Sequence, residues 1–198
     1  MNKVGIITNL KDSLYKQQLI LELEKKDIKA FNLDEHIFTE FAETQKQIID
    51  ASKRLKEKGS DFLIVEDLSV LENFDELQLN SDLIILNPID TIASYLIGEL
   101  NRFPLWTMKS TLGLPLLDRF NIGYQVLDRD SKKVFANLLK SETPLESIRE
   151  EISKYKPFGI DSIILNGFDF ANLDPIEDID IYEINSLYIQ KSADILYR

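Results

Sequence analysis

Short runs of consecutive apolar residues alternate along this chain with longer stretches whose apolar positions recur every three or four residues. Strand–helix units feeding a parallel sheet produce that alternation, because a strand covered on both faces reads as a continuous apolar run. Lys3–Thr8 is the first such run, and the apolar positions Leu14, Leu19, Leu21 and Leu23 predict a helix after it. A strand over Ile28–Leu33 and a long helix over Thr39–Lys58 follow, the helix with Ile48, Ile49, Ala51 and Leu55 on one side. Gly59 stands where a helix-ending residue with positive φ is wanted. Asp61–Val65 and Asp82–Leu86 read as the third and fourth strands, Asn87-Pro88 as a break, and Thr91–Leu100 as a helix.

The order then repeats. Leu105–Met108 reads as a strand, and Thr111–Phe120 as a helix start interrupted by Pro115. Tyr124–Leu127 is a strand and Ser131–Leu139 a helix. Thr143–Tyr155 is a helix with a capping-box signature, Thr143 as N-cap, Pro144 at the first helical position and Glu146 two residues on. Gly159 ends it, Ser162–Leu165 is a strand and Asn185–Tyr197 a terminal helix. The expected fold class is α/β: two similar subdomains, pseudo-twofold related, each a parallel sheet flanked by helices, with a cleft between them. Residues 1–100 make the first half and 101–184 the second, with the helix over 185–198 packing back on the first. The seam falls near Asn101–Pro104, where Phe103 and Trp106 read as packing between the halves.

Composition narrows what such a scaffold can do. The 198 residues are 44% hydrophobic and 29% charged, ordinary for a globular chain that buries a core. The net charge of −11 argues against nucleic acid, whose binders carry a basic patch or stripe. Cysteine is absent, which removes disulfides, thiolate nucleophiles and cysteine-ligated metals. The single histidine, His36, leaves little for a histidine metal site or a Ser-His-Asp triad, and reads as a surface residue. Gly-x-Gly-x-x-Gly is absent, so no dinucleotide loop is expected. Neither a signal-peptide pattern nor an apolar stretch of the roughly 18 residues that span a bilayer is seen, and the chain reads as cytoplasmic. The expectation is no cofactor, no metal and no membrane.

Six segments carry a family resemblance. Ile49-Asp-Ala-Ser-Lys-Arg-Leu-Lys-Glu-Lys-Gly-Ser-Asp-Phe-Leu-Ile-Val65 resembles the helix, turn and strand that precede a Cys-Asn-Thr motif in the aspartate/glutamate racemase superfamily. Lys3-Val-Gly-Ile-Ile7 is similar to that family's first strand, and Leu83–Ala93 to the segment before its crossover helix. Trp106-Thr-Met-Lys-Ser-Thr111 resembles its Gly-Thr-x-x-Thr loop, and Gly159–Leu165 the strand leading to Gly-Cys-Thr-Glu. Ile181-Tyr-Glu-Ile-Asn185 opens a terminal helix as the family's last segment does. The resemblance implies ligand binding between the halves, at the carboxyl ends of the strands. It also implies racemisation by two facing cysteines, one taking the Cα proton and the other returning it.

The departures fall on the chemistry. Asp67 stands at the first cysteine position, followed by Leu68 for Asn and Ser69 for Thr. Gly167 stands at the second, between Asn166 and Phe168, with Asp169 for Glu. Glycine has no proton to give, so two-base racemisation is not expected. Asp67 is the candidate catalytic residue, a single acid/base, with Glu66 beside it pointing the other way along a strand. The candidate ligand-binding residues are Thr8, Asn9, Ser69, Lys109, Thr111, Asn166 and Asp169. Lys109 and Thr111 offer a cation and a hydroxyl before a helix N-terminus, which suits an anion. For each there is a plainer reading: an Asx turn at Asn9, an N-cap and surface lysine at Thr111 and Lys109, an Asn-Gly turn at Asn166.

Three functions fit. The first is a racemase-like protein that binds a small anionic metabolite, an amino acid or dicarboxylate, without two-cysteine activity. The second is an isomerase or lyase with Asp67 as its one base, since hydantoin racemases, maleate isomerases and arylmalonate decarboxylases share the superfamily. The third is a structural or partner-binding protein. A homodimer is compatible with all three. Gly167-Phe-Asp169 is also similar to periplasmic-binding-protein-like sugar sensors, whose cores are considerably longer than this chain.

Overall fold

The structure is a computed structural model and describes residues 3–8, 14–34, 41–65, 74–99, 105–106, 125–126, 137–138, 140–160, 162–165 and 176–198. In chain order the elements are β1 (Lys3–Thr8), α1 (Leu14–Glu24), β2 (Lys29–Asp34), α2 (Phe41–Glu57), β3 (Phe62–Val65), α3 (Phe74–Asn80), β4 (Ile84–Ile85) and α4 (Pro88–Glu99). There follow β5 (Leu105–Trp106), β6 (Gln125–Val126), α5 (Pro144–Ser153), a 3-10 turn at Lys156–Phe158, β7 (Ser162–Leu165), β8 (Asp180–Glu183) and α6 (Ile184–Tyr197).

The strands form two four-stranded sheets, ordered β2-β1-β3-β4 and β6-β5-β7-β8, and every pairing is parallel. The expected α/β class with helix-flanked parallel sheets is therefore found. The chain divides into two compact units, Met1–Thr91 with Tyr188–Arg198, and Ile92–Leu187. It passes from the first to the second inside α4 and returns inside α6. The two sheets repeat in register as well as in order. Gly5 pairs with Leu63 and Ile6 with Ile64; one hundred residues later Leu105 pairs with Ile163 and Trp106 with Ile164.

In the first unit the core is built where β1 and β3 lie side by side. Val4, Ile6, Ile7, Leu63, Ile64 and Val65 are fully buried. The α2 helix lays Ile48, Ala51 and Leu55 into this core, also without exposure. Gly5 makes the approach feasible: a Cβ there would sit 2.7 Å from Leu55 Cδ1, closer than side-chain atoms pack. The α1 helix buries Tyr15, Leu19 and Leu23, an i, i+4, i+8 stripe, whereas Leu14 and Leu21 are exposed.

Both helices end in Schellman turns. After α2, Gly59 has φ 92°, its N–H donates to the Lys56 carbonyl and the Ser60 N–H to Leu55. After α1 the same turn is made by Asp27 at φ 53°, with Asp27 N–H on Glu24 and Ile28 N–H on Leu23. An aspartate tolerates this conformation better than most residues, which hides the turn from a glycine search.

The second unit gathers Ile148, Ile152, Ile160, Ile163, Leu165, Ile176 and Ile179 into one cluster. Gly159 closes the 3-10 turn at φ 77°, its N–H donating to Lys156. Back in the first unit, Tyr188, the largest fully buried side chain among the described residues, donates its hydroxyl to the Leu86 carbonyl at 2.7 Å. Burial raises the Tyr188 phenol well above the ordinary tyrosine range.

Several expectations are corrected. Asn87-Pro88 is not a break: Pro88 opens α4, filling the first helical position, where a missing N–H loses nothing, and the Asn87 amide donates to Asp90. Thr143 occupies the N-cap of α5 but its side chain makes no capping bond, so the capping box with Glu146 does not form. α3 was not expected, because Leu77 is its only buried residue. Asp180–Glu183 is a strand rather than the approach to the terminal helix. The expected helices over Thr111–Phe120 and most of Ser131–Leu139 lie outside the described residues.

Candidate functional site

Strand order marks the switch points of the two sheets. In β2-β1-β3-β4 the chain turns to one side after β1 and to the other after β3, so the switch point lies between those two strands. In β6-β5-β7-β8 it lies between β5 and β7. Open α/β sheets bind ligands outside the carboxyl ends of the strands at such points, where helix N-termini also converge.

The candidate residues follow these four strands in the sequence. Thr8 is the last residue of β1, and Ile7 before it pairs with Val65, the last residue of β3. Asn9 is the next residue after β1, and Asp67 and Ser69 come two and four residues after β3. In the second unit Trp106 ends β5, with Lys109 and Thr111 after it, and Leu165 ends β7, with Asn166, Gly167 and Asp169 after it. The repeated register makes Asn9 the counterpart of Lys109, and Asp67 the counterpart of Gly167. Asn9, Asp67, Ser69, Lys109, Thr111, Asn166 and Asp169 themselves lie outside the described residues, as do Glu66, Leu68, Gly167, Phe168 and His36. Of Thr8 only the backbone is described; it pairs with Asp34 of β2.

One carboxylate at a strand end was missed in the sequence. Glu183, the last residue of β8, pairs with Leu165 and is 94% buried, its exposure being 6%. Its Oε1 accepts from the Asn185 backbone N–H at 3.1 Å and from Asn185 Nδ2 at 3.0 Å, and its Oε2 from the Ser186 N–H at 2.8 Å. These bonds satisfy donors that the first turn of α6 would leave open, and the negative charge suits the positive end of the helix. Glutamate is an uncommon N-cap, so the segment reads as strand or helix rather than as the junction between them. Among the described residues no group of three or more His, Cys, Asp or Glu side chains is arranged to hold a metal ion. No described helix is long and apolar enough to cross a membrane.

No protein-family model and no curated protein sequence matches the chain. Solved structures do. An aspartate racemase homologue from Pyrococcus horikoshii superposes with a TM-score of 0.80 at 16% identity, covering 100% of both chains. A candidate Asp/Glu racemase from Yersinia pestis gives 0.77 at 16% identity, again over 100% of both. An aspartate racemase from Picrophilus torridus gives 0.69 at 17% identity, over 98% of this chain and 95% of that one. The chain has the fold of these racemases.

Proposed function

We propose that this racemase-fold chain binds a small anionic metabolite, an amino acid or dicarboxylate, at the carboxyl ends of its central strands and does not racemise by a cysteine pair. The observation that carries this reading is the pairing of two facts: a full-length likeness to aspartate racemases, and a chain without a single cysteine. Proton removal and return on opposite faces of Cα needs two groups, each poised near the working pH. Asp67 supplies one carboxylate at its strand end, and its counterpart Gly167 supplies nothing. Lys109, Thr111, Asn9 and Thr8 follow or end the central strands of the two sheets and offer a cation, hydroxyls and an amide to a carboxylate. Ser69, Asn166 and Asp169 complete the proposed ligand set. The absence of cysteine also accords with a cytoplasmic setting, where disulfides are rare.

The test is thermal unfolding against a panel of L- and D-amino acids and dicarboxylates. A ligand of the native state present at 100 times its Kd stabilises by about 2.7 kcal/mol, enough to see as a shift in Tm. The expected result is a shift with at least one dicarboxylate or acidic amino acid that Lys109→Ala with Thr111→Ala removes. No shift with any member of the panel defeats the binding reading and favours a partner-binding role. A second reading, an isomerase or lyase with Asp67 as single base, draws on a carboxylate that follows β3 by two residues in the sequence. It is told apart by turnover that Asp67→Asn abolishes while ligand binding persists.

A further inference from the structure

Among the described residues β4 is the outermost strand of the first sheet. Its inner edge is bonded to the β3 segment, the Ile84 N–H donating to Asp61 at 3.2 Å and the Leu86 N–H to Leu63 at 3.0 Å. Alternation along a strand turns the intervening groups the other way, so the Leu83 carbonyl and the Ile85 N–H face the open side. Such unpaired edge groups are a template for another strand. Here a single side chain takes both. Gln78 Nε2 donates to the Leu83 carbonyl at 3.0 Å, and Gln78 Oε1 accepts from the Ile85 N–H at 2.8 Å. A carboxamide carries its donor and acceptor side by side, as a peptide group does, and so meets the edge much as an added strand would.

α3 holds this side chain in place. Leu77, next to Gln78, is buried at 1% exposure, and the Ser81 hydroxyl accepts the Leu83 N–H at 3.2 Å just beyond the helix. Along the chain beside the guarded groups two large apolar side chains are exposed, Ile84 at 57% and Leu79 at 86%. An apolar edge with free backbone groups is the kind along which identical chains join. We infer that Gln78 closes the β4 edge of the first unit to strand addition by a second copy of this chain.

Sedimentation over a range of concentrations tests this on the full-length wild type, Gln78→Ala, and Gln78→Ala combined with Ile84→Lys. Gln78→Ala frees both edge groups and is expected to self-associate beyond the wild-type state, at least about tenfold more tightly. A lysine on the edge is expected to reverse the gain, as charged edge residues do in natural sheets. Association of Gln78→Ala equal to wild type overturns the inference, and so does a gain that Ile84→Lys leaves untouched, because another surface is then responsible. Should Gln78→Ala fail to fold, Gln78→Glu, which keeps the acceptor for Ile85 and loses the donor to Leu83, carries the same comparison.

Discussion

Lys56–Val65 in the first unit, and Lys156–Ile160 with Ser162–Leu165 in the second, share a glycine turn and a buried strand, and then lead into different residues. In both, a glycine with positive φ donates its N–H to a lysine carbonyl three residues back: Gly59 to Lys56, and Gly159 to Lys156. A strand follows, with three fully buried residues at its end in each case, Leu63, Ile64 and Val65 against Ile163, Ile164 and Leu165. The next residues are Glu66-Asp67-Leu68-Ser69 in the first unit and Asn166-Gly167-Phe168-Asp169 in the second. What the pair teaches is that the demands of the sheet and those of the reaction are separable. A parallel sheet needs the glycine turn and the apolar run, because the strand is covered on both faces. Nothing in that demand reaches past the strand end, so a carboxylate can stand in one half and a glycine in the other over the same scaffold.

The severest way to break the comparison is to cut the two buried runs at matched positions. Leu63→Ala and Ile163→Ala each empty a site of zero exposure and are expected to destabilise by about 2–5 kcal/mol. Denaturant unfolding checks this, and a large loss at one position with none at the other shows that the two runs are not equivalent.

A smaller effect falls within the first unit, where Tyr188 meets Leu86. Tyr188→Phe leaves the Leu86 carbonyl without its buried donor and is expected to cost about 1–3 kcal/mol. The pH dependence has a definite sign. Because burial raises the phenol of the folded protein, the unfolded chain releases its proton first, near the ordinary pKa of about 10. Stability from this group is complete below that pH and falls as pH rises above it. Wild type is expected to lose stability through this range more steeply than Tyr188→Phe, as urea midpoints at pH 8 and pH 11 will show. Parallel losses in the two proteins place the alkaline weakness elsewhere.

The smallest expected effect falls on the glycines. Gly59→Ala and Gly159→Ala force a side chain into the left-handed region at φ 92° and 77° and are each expected to cost about 1–2 kcal/mol. The nearest atom to a Cβ at Gly59 is the Lys3 ammonium at 3.6 Å, so the penalty there is conformational rather than steric. Equal losses in thermal melts support the equivalence of the two turns; a neutral Gly159→Ala restricts the requirement to the first unit.

The strands were legible wherever the sheet covers both faces. Lys3–Thr8, Phe62–Val65 and Ser162–Leu165 are continuous apolar or small runs, and each lies where the alternation places it. Elements with one wet side were harder. β8 reads Asp180-Ile-Tyr-Glu183 with half-exposed residues in its middle, and it runs straight into α6 without a turn residue. α3 offers one buried leucine, too little to make a period. The Schellman turn at Gly59 announced itself, whereas the same turn at Asp27 did not, because aspartate has many other uses. Of the candidate site, the sequence sets its residues after the central strands, and the strand order puts the switch points between β1 and β3 and between β5 and β7. It does not carry the buried Glu183 cap, because only the pairing with Leu165 brings that carboxylate to a strand end.

The central claim is a racemase fold without racemase chemistry, and hydrogen–deuterium exchange at Cα tests it most directly. The purified protein is incubated in D₂O with each enantiomer of aspartate and glutamate, and NMR follows both the Cα proton and the enantiomeric ratio. With Asp67 proposed as the single base, and a reference carboxylate pKa near 3.9 that makes it a weak one, no exchange above the buffer rate is expected for either enantiomer. Exchange that vanishes in Asp67→Asn, with the starting enantiomer retained, promotes the single-base reading. Interconversion of the enantiomers contradicts the account, because it requires a second acid/base group, and a glycine stands at position 167, the counterpart of Asp67.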